Sequence, residues 1–312
     1  MKYNALGETG LRVSELSFGA SSLGGVFHEV NEAEAIEAVH RVLDAGINYI
    51  DVSPAYGATK AEQVLGKALR GVERDRYYLS TKVGKQTEPG CYGCDSFDYS
   101  AGRIRSSIDE SMARVGVDYF DIVYLHDFDY ENQIHAEQAL TEGYATLMAL
   151  KGEGRIGAVG GGIYAMDLWK RMLLETEAEV LLVHNHYCLN DIRLLELLPL
   201  SAQKGVGIVN ASPFGSGLLT DRGAPDWHPA TDKQRAYFAK AAELCKERGT
   251  SISKLALQYS AQHPQIPTTL FSSARPTSVE RNLQWYSEPC DYALVAEVQA
   301  ILEPVMNLQW PY

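Results

Sequence analysis

The sequence predicts an α/β fold closed into a (β/α)8 barrel, the TIM-barrel architecture, in a single domain spanning residues 1–312. Short β-rich runs alternate with helical patterns along almost the whole chain, eight runs can be counted, and most are nearly all apolar rather than alternating. Parallel strands covered on both faces require such uninterrupted apolar runs. An open doubly wound sheet usually has fewer strands and carries a glycine fingerprint at its first turn. No G-x-G-x-x-G follows the first run, and no G-x-x-x-x-G-K-[ST] phosphate loop occurs in the chain.

The first run, ELSFGA (15–20), is followed by a Gly24-Gly25 pair that reads as loop. A helix is predicted over NEAEAIEAVHRVLDAG (31–46), where Ala35, Ile36, Val39, Val42 and Leu43 recur at helical spacing and Gly46 supplies the stop. The runs NYIDV (48–52), YYLSTK (77–82) and DIVYLH (121–126) complete the first half of the barrel. IGAVG (156–160), VLLVH (180–184), VGIVNA (206–211) and PTTLF (267–271) supply the second. The stretch LLTDRGAPDWHPA (218–230) interrupts this rhythm and, over a barrel, reads as a lid.

With 46% hydrophobic and 22% charged residues, the composition excludes a disordered or fibrous chain. Lys and Arg number 28 against 40 Asp and Glu, a formal charge of −12 that repels phosphate backbones and anionic lipid. Neither nucleic acid nor a membrane is an expected partner. No stretch approaches the ~20 apolar residues of a membrane span, and the opening run lacks the apolar segment of a secretory signal, so a cytoplasmic protein is expected. Five cysteines, an odd number, are expected to be reduced thiols. Cys91 and Cys94 form a C-x-x-C without the second ligand pair that a structural zinc site needs, and are read as loop cysteines. The oligomeric state is not legible.

In such a barrel the working side chains project from the C-terminal strand ends. Asp51 closes the second run, Tyr56 follows in the loop SPAYG, Lys82 closes the third run and His126 the fourth. An acid, a phenol, an ammonium and an imidazole are thus expected to meet over the mouth. Taken singly, each has a plainer reading: a packing tyrosine, a solvated lysine, an aspartate capping a turn.

From LGETGLRVSELSFGA through INYIDVSPAYG, YYLSTK, DYFDIVYLH, GRIGAVG and SPFGSGLLT to ARPTSVERNL, nearly the whole chain in order, the sequence resembles the aldo-keto reductases. The runs FGASSLGGVF, SPFGSGLLTD, DWHPA and ILEPVMNLQW are most similar to that family's L-galactose dehydrogenase group, which oxidises a sugar at its anomeric carbon. The resemblance implies a catalytic tetrad of Asp51, Tyr56, Lys82 and His126. It implies a nicotinamide cofactor held by Gly19, Ala20, Asp51 and His184, then by Ser212, Pro213, Phe214, Ser216 and Gly217 of SPFGSG. After the eighth strand it adds Ser272, Ser273, Arg275, Ser278 and Asn282.

The tetrad chemistry can be argued independently. Hydride loss from a hemiacetal carbon requires removal of the hydroxyl proton, and a phenol of pKa ~10 is a poor base near neutrality. One ammonium about 4 Å away supplies on the order of 4 kcal/mol at an effective dielectric of ~20, enough for a fall of ~2–3 units. Asp51 would keep Lys82 protonated against desolvation, and His126 would hydrogen-bond the reacting oxygen.

The chain also departs from the family pattern. Ser272 and Ser278 stand where relatives carry phosphate-binding Lys and Arg, which favours NAD over NADP, although Arg275 remains as a cation for a 2′-phosphate. Gly161-Gly162 replaces Ser-Asn after strand five, His184 replaces Gln after strand six, and Ala211 replaces a stacking Tyr, with Phe214 as a substitute. No metal site is expected from His184 and His186. Trp227 and His228 in the lid are candidate sugar contacts or packed loop anchors. Asp127 either meets a sugar hydroxyl or caps the next helix. The expected function is NAD-dependent oxidation of an L-galactose- or L-fucose-type aldose to its lactone. The rival functions are an NADPH-dependent aldehyde or ketone reductase and a non-catalytic nucleotide-binding regulatory subunit.

Overall fold

The computed structural model describes residues 1–25, 29–91 and 94–310; the last two residues of the FGASSLGGVF run lie outside the described residues. An antiparallel hairpin of β1 (Tyr3–Ala5) and β2 (Arg12–Ser14) precedes the barrel. The barrel strands are β3 (Leu16–Gly19), β4 (Tyr49–Asp51), β5 (Tyr78–Val83), β8 (Phe120–His126), β9 (Ile156–Ile163), β10 (Val180–His184), β11 (Gly207–Ala211) and β12 (Thr268–Phe271). They close in the order β10-β11-β12-β3-β4-β5-β8-β9, each parallel to its neighbours. A second hairpin, β6 (Lys85–Thr87) with β7 (Asp95–Phe97), stands outside the barrel.

Each of the eight apolar runs becomes a barrel strand, because successive side chains of a strand buried on both faces enter two apolar layers. In β4 and β8 the split is visible: Tyr49, Ile122 and Tyr124 point into the barrel, while Ile50 and Val123 pack outward against helices such as Glu32–Asp44. Leu6 and Val13 of the N-terminal hairpin join the inner cluster and floor the barrel. Gly7 turns there with φ of +56°, and a Cβ on it would lie 2.4 Å from the Gly205 carbonyl oxygen, so only glycine fits.

Several expectations are corrected. The fifth strand continues to Ile163, which puts Gly161 and Gly162 inside β9 rather than after it. A Cβ on Gly161 would stand 2.8 Å from the Met172 sulfur, so the helix Met166–Glu175 packs where a side chain would be. Cys91 and Cys94 are joined as a disulfide rather than reduced; the turn beyond β6, with Cys91 N–H donating to Glu88 O, brings their Cα atoms to 5.4 Å. The stretch expected to be a lid is strapped down. The Arg235 guanidinium donates to the carbonyls of Ala224, Pro225, His228 and Ala230 at 2.8–3.0 Å.

Candidate active site

Asp51 faces the barrel axis because it follows Tyr49 by two residues, and the inward side chains form a polar column. The Tyr49 hydroxyl pairs with those of Ser80 and Tyr124, each at 2.9 Å, and Ser80 donates to Asp51 Oδ1 at 2.7 Å. Above this column Lys82 Nζ donates to Asp51 Oδ2 at 2.5 Å and to the Val52 carbonyl at 3.1 Å, with both side chains almost wholly buried. Their shifts run in opposite directions for the same reason. Burial raises Asp51 and lowers Lys82, and each partner's charge opposes the drift of the other.

The ammonium lies 4.8 Å from the centre of the Tyr56 ring, whose edge meets the His126 ring at 5.9 Å and 90°. The four residues expected at the mouth are therefore brought together. Tyr56 itself corrects the electrostatic expectation. Burial, reinforced by the charges of Asp51 and Asp127, holds its phenol well above the ordinary value instead of below it. The lysine that should lower it is already neutralised by Asp51 at 2.5 Å. His126 Nδ1 meets the Ser53 hydroxyl at 3.1 Å, and burial pushes its imidazole down to about 3, so it is neutral near pH 7.

Beside His126, Asp127 takes a left-handed φ of 50°. Its Oδ2 accepts from Lys85 Nζ at 2.8 Å and lies 3.6 Å from His126 Nε2. Against burial, His126 and Lys85 bring Asp127 down to about 2. Lys85, on β6, was not anticipated from the sequence; the only signal was a second lysine three residues after Lys82 in TKVGK. Asp127 does not cap the following helix, the alternative the sequence allowed. Its neighbour Asp129 accepts from the Tyr164 and Ala165 amides at 2.7 Å, just before Met166–Glu175, the helix that follows β9.

The later strands carry the residues expected to hold the cofactor. Gly19 ends β3, where a Cβ on it would meet Phe271 O at 3.6 Å, and Ala20 opens the 3-10 helix Ala20–Gly24 that follows. His184 ends β10, lowered by burial to about 4, and its ring lies 6.3 Å from that of Tyr164. His186 lies beyond the strand, between Asp191 Oδ2 (3.2 Å) and the Tyr164 carbonyl (2.6 Å). Asn185, which the sequence did not single out, is buried with φ of 60°; its amide donates to Ser216 Oγ at 2.8 Å and leaves Oδ1 without a partner. Ser212 and Ser216 take left-handed φ values of 65° and 52° around buried Pro213, and Gly217 follows with φ of 99°. Phe214 packs half-buried against the core.

After β12, the Ser272 hydroxyl is already engaged with Ser21 and Ser22 of the first loop. Ser273 accepts from the Arg275 amide at 3.1 Å, Ser278 packs in the first turn of Pro276–Ser287, and Asn282 is buried. The Arg275 side chain is exposed and hydrogen-bonds to none of the described residues. His228 is buried against Trp310 at 4.9 Å, with Nδ1 accepting from Ala230 N–H and Nε2 unpartnered, which makes it a loop anchor. Trp227 remains 39% exposed. Trp310 N–H donates to the Tyr164 hydroxyl at 3.0 Å, so the C-terminal segment lies over the β9–β10 side of the mouth. Among the described residues no group of three or more His, Cys, Asp or Glu could hold a metal ion, and no helix is long and apolar enough to cross a membrane.

Comparison with known proteins agrees with this architecture. Residues 15–303 match the aldo/keto reductase family. The chain is 40% identical over 320 residues to an L-galactose dehydrogenase of Arabidopsis thaliana, covering 100% of this chain and 97% of that protein. It is 28% identical to a D-threo-aldose 1-dehydrogenase of a Pseudomonas species, over 94% of this chain and 95% of the other. Among solved structures, the aldo-keto reductase AKR11C1 from Bacillus halodurans, in its holo form, superposes with a TM-score of 0.78 at 28% identity, covering 99% of this chain and 98% of that one. The order of the strands, the four polar side chains at their ends and a family match across nearly the full length lead to one assignment: the chain is an oxidoreductase belonging to the aldo/keto reductase family.

Proposed function

We propose that this protein oxidises an aldose of the L-galactose or L-fucose type at its anomeric carbon, giving the lactone, with NAD as hydride acceptor. The observation that carries the reading is the buried Asp51–Lys82 pair set 4.8 Å beneath the Tyr56 ring with His126 at its edge. The names of the two sugar dehydrogenases to which the chain is similar point to the substrate class.

The residues present fit a nicotinamide cofactor. The unpartnered Asn185 Oδ1 is a buried acceptor suited to a carboxamide NH2, and the left-handed backbone at Ser212 and Ser216 is of the kind that forms anion-binding concavities. When bound, NAD supplies an acceptor for the hydride leaving the anomeric carbon. Tyr56 takes the proton of the anomeric hydroxyl through its phenolic oxygen. Lys82, paired with Asp51, lies 4.8 Å from the centre of the Tyr56 ring and fixes the ring by a cation–π contact, while the pair together leaves the phenol high. His126, neutral and held through Nδ1 by Ser53, offers Nε2–H to the substrate oxygen and fixes its orientation. Asp127, beside His126, and the exposed Trp227 are the candidate sugar contacts, with His228 a packed anchor next to Trp227.

A spectrophotometric screen for NADH formation across a panel of aldoses, repeated with NADP, tests the reading. Turnover with L-galactose or L-fucose and NAD is expected. No oxidation of any aldose, or an overwhelming preference for NADPH-driven carbonyl reduction, overturns it. The exposed Arg275 is the one observation that favours the NADPH reading.

A further inference from the structure

The second hairpin reaches into the mouth at one point. Lys85 Nζ lies 2.8 Å from Asp127 Oδ2 and 3.0 Å from Asp95 Oδ2, with the Tyr130 ring 4.3 Å away, and its side chain is only 10% exposed. Asp95 is itself held, its Oδ1 accepting from Thr87 Oγ1 across the hairpin. The oxygen of Asp127 that Lys85 grips is also the one nearest His126. At 3.6 Å from Nε2 it stands just beyond hydrogen-bond reach. The left-handed backbone at Asp127, with its amide donating to Gly162 O at 2.9 Å, fixes where that carboxylate can swing.

We propose that Lys85 is a positioning residue that holds the Asp127 carboxylate away from His126 and so leaves the imidazole Nε2 to the substrate oxygen. This role rests on the oxidation proposed above. Without the ammonium nothing restrains the carboxylate, and a buried carboxylate beside an imidazole closes on it to form an ion pair. The reacting oxygen would then lose its donor.

The charges around the pair agree. Tyr56 from the loop after β4, Lys82 from β5, Lys85 from β6, His184 from β10 and Asp127 face His126. Burial, the two lysines and His184 keep the ring neutral, and Asp127 opposes them. Lys85, His126 and His184 stabilise the charge of Asp127, while Asp129 and the Tyr99 hydroxyl stand behind it. Removing Lys85 therefore raises the proton affinity of His126 twice over, by losing a cation and by admitting an anion.

The test is a titration of isotope-labelled histidine by NMR in the NAD-loaded protein, with the His126 signal assigned by its loss in H126Q. The wild type is expected to keep His126 neutral down to about pH 5, well below the ordinary histidine value. Lys85→Met should bring a protonation midpoint above about pH 5 and give kcat/KM an acid limb at the same midpoint, roughly tenfold per pH unit. Lys85→Arg should restore both. Asp95→Asn, which loosens Lys85 from the hairpin side, should move the midpoint the same way by less and provides the reading if Lys85→Met fails to fold. A His126 signal that stays neutral in Lys85→Met and Asp95→Asn overturns the inference even if aldoses are oxidised. A wild type that oxidises no aldose overturns the proposed function, while the titration still decides the placement of Asp127.

Discussion

On the side of the mouth formed by β4, β5 and β8, Asp51 meets Lys82 and Ser80, His126 meets Ser53, and Asp127 meets Lys85. On the opposite side, formed by β10, β11 and β12, Asn185 Oδ1 is buried without a partner and the Arg275 guanidinium stands in solvent. The first side is electrostatically complete before any ligand arrives, as stabilisation of a developing charge requires. The second keeps polar atoms in reserve, as a surface that must recognise a polar ligand requires: the buried Asn185 Oδ1 costs stability until it is filled, whereas the Arg275 guanidinium is met by water. The proposed chemistry sits on the closed side and the proposed cofactor grip on the open one.

Three substitutions break or sharpen that contrast. The largest expected effect is that of Tyr56→Phe, which keeps the ring over Lys82 and removes only the proton carrier. NADH formation should fall by about 10³-fold while NAD binding, followed by fluorescence titration, stays within about twofold. Next is Lys82→Met, which strands the Asp51 carboxylate in the barrel and should cost about 3–5 kcal/mol in urea unfolding. The double variant Asp51→Asn/Lys82→Met should recover part of that loss, because no unpaired charge then remains buried. Smallest is Arg275→Ala on the open side. It should leave unfolding unchanged within about 0.5 kcal/mol and raise KM for NADP by roughly tenfold and for NAD by at most about twofold. If Arg275→Ala destabilised the fold as much as Lys82→Met, the two sides would not differ as described.

The eight strands were legible because an apolar run buried on both faces declares itself in composition alone. Asp51, Tyr56, Lys82 and His126 were legible as strand-end polar groups. The two hairpins were not. Their strands are three residues long, too short for a period to show, so Lys85 looked like any surface lysine. Asn185 was passed over because its role depends on what fails to touch Oδ1. The stretch 218–230 looked mobile by length, whereas one guanidinium from the next helix ties four of its carbonyls together.

Residue order by itself determined the barrel and the set of polar groups that reach the mouth, because both follow from local composition and chain direction, whereas the split of side chains into inner and outer layers came from the structure. Only the tertiary structure decided how those groups are charged. Lys82 bonds Asp51 and so does not lower Tyr56, and Lys85 arrives from outside the barrel to hold Asp127. Electrostatic energy depends on separation and on the exclusion of water, and both are set by residues distant in the chain meeting in space.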